Sequence, residues 1–372
     1  MASELYNKSK RAMITYILKV FVISLILGAV FTPAILDFCK RKKLYDIPNE
    51  RKVHKNATPR LGGISFMPSM LLAFVFFLLA SRWNGQLNHT FNIWSASYLA
   101  GLIIIYLVGI VDDLIGLSAS TKFAAQIVAA CLLPMTGLYI NNLYGLFGIY
   151  EIPYWAGVCF TVFAIVFIVN AINLIDGIDG LAGSISLVAL GGFLGYFVCH
   201  DVFRYTYTML AAGMMGALVA FLYYNMFGKA ENNNKIFMGD SGSLSLGYTL
   251  GFFAIKVAMD NTAIWPSRPE AFLLPLTLLF VPIADVVRVV LYRMYHRQPL
   301  FNADKNHIHH KLMRAGLNQH QALACILLLT AVVYALNYVL YPTLSTTIII
   351  GIDVLLYVLV NIGINVRIKP AS

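Results

Sequence analysis

Charge is scarce in this chain of 372 residues: Asp, Glu, Lys and Arg make up 12% of it, against 59% hydrophobic residues. Soluble domains usually carry about 25% charged side chains, so most of this surface has no means of facing water and lipid must be its solvent. Cysteine is sparse and unpatterned. Cys39, Cys131, Cys159, Cys199 and Cys325 stand singly in or beside apolar runs, which argues against both a disulfide framework and a zinc knuckle. The sequence has no internal repeat, no low-complexity tract and no polar stretch that reads as a separate soluble domain. A cleavable leader is not expected, because residues 1–14 are polar and basic and the run after them is long enough to stay as a span.

Apolar runs are what the chain has in abundance. Crossing the hydrocarbon takes roughly 20 helical residues, and candidate runs lie near 15–36, 62–80, 94–111, 121–137, 153–171, 181–199, 206–224, 243–259, 271–292, 320–341 and 343–364. Gly, Pro and Asn inside them are tolerable where neighbouring helices satisfy the freed backbone groups. The expected fold is all-α, a polytopic membrane helix bundle of about eleven transmembrane helices forming one domain over 1–372. Short cytoplasmic loops retain Lys and Arg. Segment 37–61 holds eight of them (Lys40, Arg41, Lys42, Lys43, Arg51, Lys52, Lys55, Arg60) and 293–319 holds five (Arg293, Arg297, Lys305, Lys311, Arg314). Both then face the cytosol, with 112–122, 170–180, 225–243 and the C-terminus, while the N-terminus lies outside. Lys8, Lys10 and Arg11 oppose that last placement. The net charge of +10 is expected of basic loops beside anionic headgroups and by itself identifies no substrate.

The acidic, amide and histidine residues concentrate in those same inward loops. Asp112 and Asp113 follow the run Leu99–Val111 and precede Gly116 and Lys122. Acids at a helix C-terminus are mildly unfavourable and ionisable groups at membrane depth are costly, so use outweighs a merely solvated helix end. In Asn170-Ala-Ile-Asn173-Leu-Ile-Asp176-Gly177-Ile-Asp179-Gly180 polar residues recur every third position, which keeps them on one side. Gly177 and Gly180 let the backbone leave the helix and approach a ligand, and the amides and acids are the oxygen donors a hard cation prefers. An EF-hand is excluded, since Leu181 and Ala182 stand where further oxygen ligands would be needed.

Gly239-Asp240-Ser241-Gly242-Ser243 has the look of a serine-protease nucleophile loop, but such a serine needs a β-barrel, a secreted setting and a histidine held by a buried carboxylate, whereas this loop joins two predicted helices inside the cell. A small turn presenting one carboxylate, Asp240, toward a metal fits better. Asn306-His307-Ile308-His309-His310-Lys311 permits two readings: a zinc site, disfavoured because adjacent His309 and His310 point apart and no HExxH helix exists, or an anion grip of imidazole and ammonium donors. The loop from Asp46 to Gly63, with Lys52, His54, Lys55 and Arg60, either holds a lipid phosphate or simply anchors the chain at the headgroups. Oxygen donors for magnesium, cationic donors and a bilayer-level location together describe a phosphoryl-transfer site.

The Lys55–Gly63 turn, Val111-Asp112-Asp113 with Gly116, Asn170–Gly180, Gly239–Ser243 and His307-Ile308-His309-His310, in that order along essentially the whole chain, resemble the polyprenyl-phosphate N-acetylhexosamine-1-phosphate transferase family (glycosyltransferase family 4). The resemblance implies transfer of a sugar 1-phosphate from a UDP-sugar to undecaprenyl phosphate with release of UMP, requiring Mg²⁺ for which Mn²⁺ substitutes, at the cytosolic face of a bacterial inner membrane. By motif, Asn173 and Asp240 resemble the metal ligands. Asp176 and Asp179 resemble residues of the nucleotide-sugar pocket, joined by Lys55 and Asn170. Asp112 resembles the catalytic residue assigned to activating the lipid phosphate, with Asp113 beside it near the metal, and His307, His309 and His310 resemble the catalytic loop on the substrate phosphates, helped by Lys122. The His-Ile-His-His form resembles the N-acetylglucosamine-1-phosphate branch, so UDP-GlcNAc is the expected donor, and UDP-MurNAc-pentapeptide, whose branch carries three consecutive histidines, the alternative. A homodimer is a family-level expectation, and nucleic acid is not expected as a partner. A transporter would show inverted repeats, and none is seen; an intramembrane hydrolase would have no use for a UDP-sugar.

Overall fold

The computed structural model describes residues 2–46, 57–83, 92–200, 204–229, 234–261, 268, 270–299 and 306–368. Within them the chain runs α1 (Ala2–Lys42), β1 (Tyr45–Asp46), β2 (Thr58–Pro59), a 3₁₀ turn (Gly62–Ser65), α2 (Phe66–Trp83), α3 (Ile93–Ile115), α4 (Ala119–Met135), β3 (Asn142–Leu146), β4 (Ile149–Glu151), α5 (Tyr154–Ile175), α6 (Leu181–Cys199), α7 (Arg204–Phe227), α8 (Gly239–Ala258), α9 (Leu273–Leu278), α10 (Phe280–Tyr295), α11 (Ile308–Arg314), α12 (Gln319–Leu340) and α13 (Thr346–Arg367). It is a polytopic membrane helix bundle. Among the described residues eight helices, α1, α2, α3, α5, α6, α7, α12 and α13, are long and apolar enough to cross a bilayer.

The other three expected spans are also helical, each with a physical reason for falling short. Run 121–137 is α4, apolar but only 17 residues long. Run 243–259 is α8, which starts earlier than expected, at Gly239, and so takes in Asp240 and a row of serines. Run 271–292 breaks in two at Leu279, where the backbone leaves helical geometry (φ −109°, ψ 11°). Pro282 lacks the N–H that a continuous helix would direct to the carbonyl of Leu278, and at the start of α10 that missing donor is harmless.

The described residues pack as two compact units, those within 1–48, 54–116 and 186–245 in the first and those within 117–185 and 246–372 in the second. In the first, α1 lies on α7 through small residues. A Cβ on Gly28 would press on Ala217 and Ala220, one on Gly216 would strike Phe21 and Ser24, and the Ser24 hydroxyl donates to the Gly213 carbonyl. Lipid offers no hydrophobic drive between helices, so close backbone approach of this kind is what holds them together. Residues 59–63 run beside 237–238: Phe237 N–H donates to the Pro59 carbonyl (2.7 Å), Gly62 N–H to Phe237 (2.9 Å) and Gly63 N–H to Met238 (2.8 Å).

In the second unit, α4 and α5 are joined by the Asn170 amide, which donates to Gln126 Oε1 (2.6 Å), and Tyr248 of α8 donates to the Ala129 carbonyl of α4 (3.0 Å). Asn337 of α12 donates to both Thr277 of α9 (2.9 Å) and Asp353 of α13 (2.8 Å). The β3–β4 hairpin was not anticipated. Its turn places Phe147 at φ 53° and Gly148 at φ 76°, the two positive angles that a tight two-residue hairpin requires, and a phenylalanine there gives the sequence no turn signal.

Candidate active site

The first unit carries one acidic cluster. Asp112 and Asp113 end α3 and are buried. The Asp113 carboxylate reaches the start of α8, where Oδ1 accepts the N–H of Asp240 and Oδ2 the N–H of Ser241, each at 2.9 Å. The first N–H groups of a helix have no partner within it and bear partial positive charge, so Asp113 caps α8 from another helix. Gly239–Ser243 is therefore the first turn of a helix and not a free loop. Ser241 is fully buried, which removes it from consideration as a nucleophile.

Glycine makes this junction possible. Gly239 has φ +73°, and a Cβ there would lie 2.6 Å from Asp113 Oδ2; on Gly109 it would lie 2.5 Å from the Cα of Ser241, and on Gly63 it would run into the backbone of Gly242. Arg60 closes the other side, its guanidinium donating to the Asp113 carbonyl with Nη1 4.0 Å from Asp46. Arg60, expected either to hold a lipid phosphate or to anchor the loop at the headgroups, thus bonds to the acidic cluster itself.

The second unit carries the amide and histidine motifs. α5 ends at Ile175 with Asp176 as its C-cap. The chain then turns through Gly177–Gly180 and re-enters helix at Leu181, Gly180 taking the positive φ (+77°) that this reversal requires. Asn173, Asp176 and Asp179 are half-buried along this turn. Gly177 has another reason to be glycine: a Cβ there would collide with the His309 ring. Both Asn170 amide hydrogens are engaged, on Gln126 and on the Val166 carbonyl, which leaves only its carbonyl oxygen for a ligand. Lys122 stands half-buried on the first turn of α4, behind the Ser118 cap.

His307 is the N-cap of α11. Its Nδ1 lies 2.8 Å from Asp285 Oδ2, and the ring stacks parallel to His309 at 5.9 Å. His309 is buried with neither ring nitrogen hydrogen-bonded among the described residues. Burial first, and the neighbouring His310 second, push its pKa down to about 3, against a weaker upward pull from Asp285, so it is neutral at pH 7. His310, half-buried, packs on it at 4.2 Å. Lys311 donates to Asn361 of α13 (2.9 Å); burial, and then Arg288, lower its pKa to about 8. Asp285, Arg288, Tyr357 and Asn361 were all missed in the sequence. The signal was there in Asp285, an acid inside an apolar run. Lys55 lies outside the described residues.

Among the described residues no group of three or more His, Cys, Asp or Glu is arranged to chelate an ion. Magnesium does not need one, since it usually takes one or two protein oxygens and completes its shell with phosphate and water. The side chains of Asp240 and Asn173 are oxygen donors of that kind.

Residues 95–258 match the profile of glycosyl transferase family 4. A Bacillus subtilis (strain 168) protein named probable undecaprenyl-phosphate N-acetylglucosaminyl 1-phosphate transferase is 28% identical over 364 residues, covering 94% of this chain and 93% of its own. The decaprenyl-phosphate N-acetylglucosaminephosphotransferase of Mycobacterium tuberculosis (strain ATCC 25618 / H37Rv) is 33% identical over 77% of this chain and 73% of its own. The undecaprenyl-phosphate alpha-N-acetylglucosaminyl 1-phosphate transferase of Escherichia coli (strain K12) is 29% identical over 82% and 80%.

Proposed function

The chain belongs to glycosyl transferase family 4, and from that premise we propose that it transfers N-acetylglucosamine 1-phosphate from UDP-GlcNAc to undecaprenyl phosphate, releasing UMP and starting a lipid-linked cell-envelope glycan. The observation that carries this reading is a similarity spanning 94% of the chain to a protein named as a probable undecaprenyl-phosphate N-acetylglucosaminyl 1-phosphate transferase; the donor follows from the motifs. The reaction sits at the cytosolic face of the bacterial inner membrane, where the basic loops 37–61 and 293–319 are retained.

An oxygen of the lipid phosphate attacks the β-phosphorus of the donor. The bond from that phosphorus to the bridging oxygen breaks, and UMP departs with the bridging oxygen. A phosphate monoester has its second pKa at about 6, so the acceptor is mostly a dianion at neutral pH and needs little help from a base. Asp112 accordingly positions the acceptor, while Asp113 holds the start of α8 and so the place of Asp240. Asp176, Asp179, the carbonyl of Asn170 and Lys55 take the donor. His307, His310 and Lys122 meet phosphate oxygens, and His309 supplies a neutral ring packed against Gly177. Asn173 in the second unit and Asp240 in the first are each an oxygen donor of the kind that Mg²⁺, or Mn²⁺ in its stead, would take, and the ion's charge would offset that of the diphosphate.

The test is UMP release by purified protein in detergent, given undecaprenyl phosphate, Mg²⁺ and either UDP-GlcNAc or UDP-MurNAc-pentapeptide. Turnover with UDP-GlcNAc alone, abolished by a chelator and restored by Mg²⁺ or Mn²⁺, is the expected result. Turnover with the peptide donor alone moves the protein to peptidoglycan synthesis, and lipid-independent UMP release overturns the reading.

A further inference from the structure

An acid sits inside an apolar helix of the second unit, held by four hydrogen bonds. Asp285 is 1% exposed. Its Oδ1 accepts from Arg288 Nη2 (2.8 Å), from the backbone N–H of Ile308 (3.0 Å) and from the Tyr357 hydroxyl (3.0 Å), while Oδ2 meets His307 Nδ1 (2.8 Å). Burying a carboxylate costs several kcal/mol unless donors surround it, and here a guanidinium, a backbone amide and a phenol do so from α10, α11 and α13. An ionised carboxylate only accepts. The hydrogen between Asp285 and His307 must therefore reside on His307 Nδ1, which leaves Nε2 as the edge that meets a ligand.

We propose that Asp285 is a positioning residue: it fixes the ring plane and the Nδ1–H tautomer of His307, so that Nε2 is the atom that meets a substrate phosphate oxygen. The assignment of that oxygen rests on the transferase reading; the tautomer does not. The same carboxylate seats the helix that bears the histidines, since it also receives the first N–H of α11, and Arg288 adds a bond to the Asn306 carbonyl just before it. One side chain thus sets both where His307 stands and which nitrogen it offers.

Asp285→Asn is nearly isosteric and separates this role from plain structural support. Its carbonyl oxygen is drawn to the three donors at Oδ1, which turns the amide NH₂ toward His307. The ring then has to accept at Nδ1 and carry its hydrogen on Nε2. Nitrogen NMR of ¹⁵N-histidine-labelled protein, with the His307 signal assigned by its loss in His307→Gln, should show Nδ1–H in the wild type and Nε2–H in Asp285→Asn. Turnover should fall roughly 10- to 100-fold, the usual loss when a carboxylate that orients a histidine is removed, with the KM for the UDP-sugar within about twofold. Adding His307→Gln to Asp285→Asn should cost little more, because the two residues act as one. A wild-type His307 carrying its hydrogen on Nε2, or losses that multiply independently in the double variant, would overturn the proposal. If the wild type lacks transferase activity altogether, the NMR result still decides the tautomer.

Discussion

Asp113 and Asp240 belong to different helices, yet the backbone N–H of Asp240 donates to the carboxylate of Asp113 at 2.9 Å. One acid of the cluster is thereby committed to holding the other's helix in place. Neighbouring acids in the sequence, Asp112 and Asp113, consequently have different work to do.

That difference predicts two distinct phenotypes. Asp113→Asn turns an amide NH₂ toward N–H groups that need an acceptor. It should lower the stability of the protein in detergent by about 1 kcal/mol, in the range of a lost helix cap, along with activity. Asp112→Asn should lose activity with an unchanged pH profile. A displaced acidic limb in Asp112→Asn would instead make Asp112 a base.

Gly177 faces His309, and a methyl group there has nowhere to go. Gly177→Ala should cost about 1–3 kcal/mol, as other overpacking substitutions do, and most of the activity. Adding His309→Ala vacates the space, so the melting temperature of the double variant should exceed that of Gly177→Ala alone. Simple additivity of the two losses would show that the clash is not the cause.

Gly63 meets the backbone of Gly242, which cannot rotate aside as a side chain can. Gly63→Ala should therefore be worse tolerated than Gly351→Ala, where nothing lies within 4 Å of an added Cβ. Expression and thermal melting of the two variants in the same detergent provide the comparison.

His309 also makes acid stability predictable. Its folded pKa, about 3, lies below the ordinary 6.5, so between those values the unfolded chain binds a proton that the folded chain refuses. Stability contributed by the neutral ring is complete above pH 6.5 and is lost as pH falls toward 3, at up to about 1.4 kcal/mol per pH unit. Melting curves at pH 7 and pH 5 should show that loss in the wild type and a smaller one in His309→Asn. Equal losses in both would place the acid sensitivity elsewhere.

Much of this was legible in the sequence because lipid simplifies the code: long apolar runs must be helices, and each expected span is one or, in α9 and α10, two. The polar motifs stood out against that apolar background for the same reason. What stayed hidden depended on partners distant in the chain. Gly239–Ser243 looked like a loop because its helix is capped by Asp113, 126 residues before Gly239, and no local residue signals that. Gly177 looked like a hinge when its missing Cβ makes room for a ring from α11. Asp285 was passed over as one polar residue in an apolar run, since only the fold shows the four donors around it.

The contact of Gly63 with Gly242, and of Gly109 with Ser241, bears on how this chain can vary. Where main chain rests on main chain, the seat of the acidic cluster is built from peptide groups, which are the same whatever the codon. Drift at positions 63 and 109 is thereby closed to any residue with a Cβ, and variation near the cluster is left to side chains such as Arg60 that border the seat without forming it.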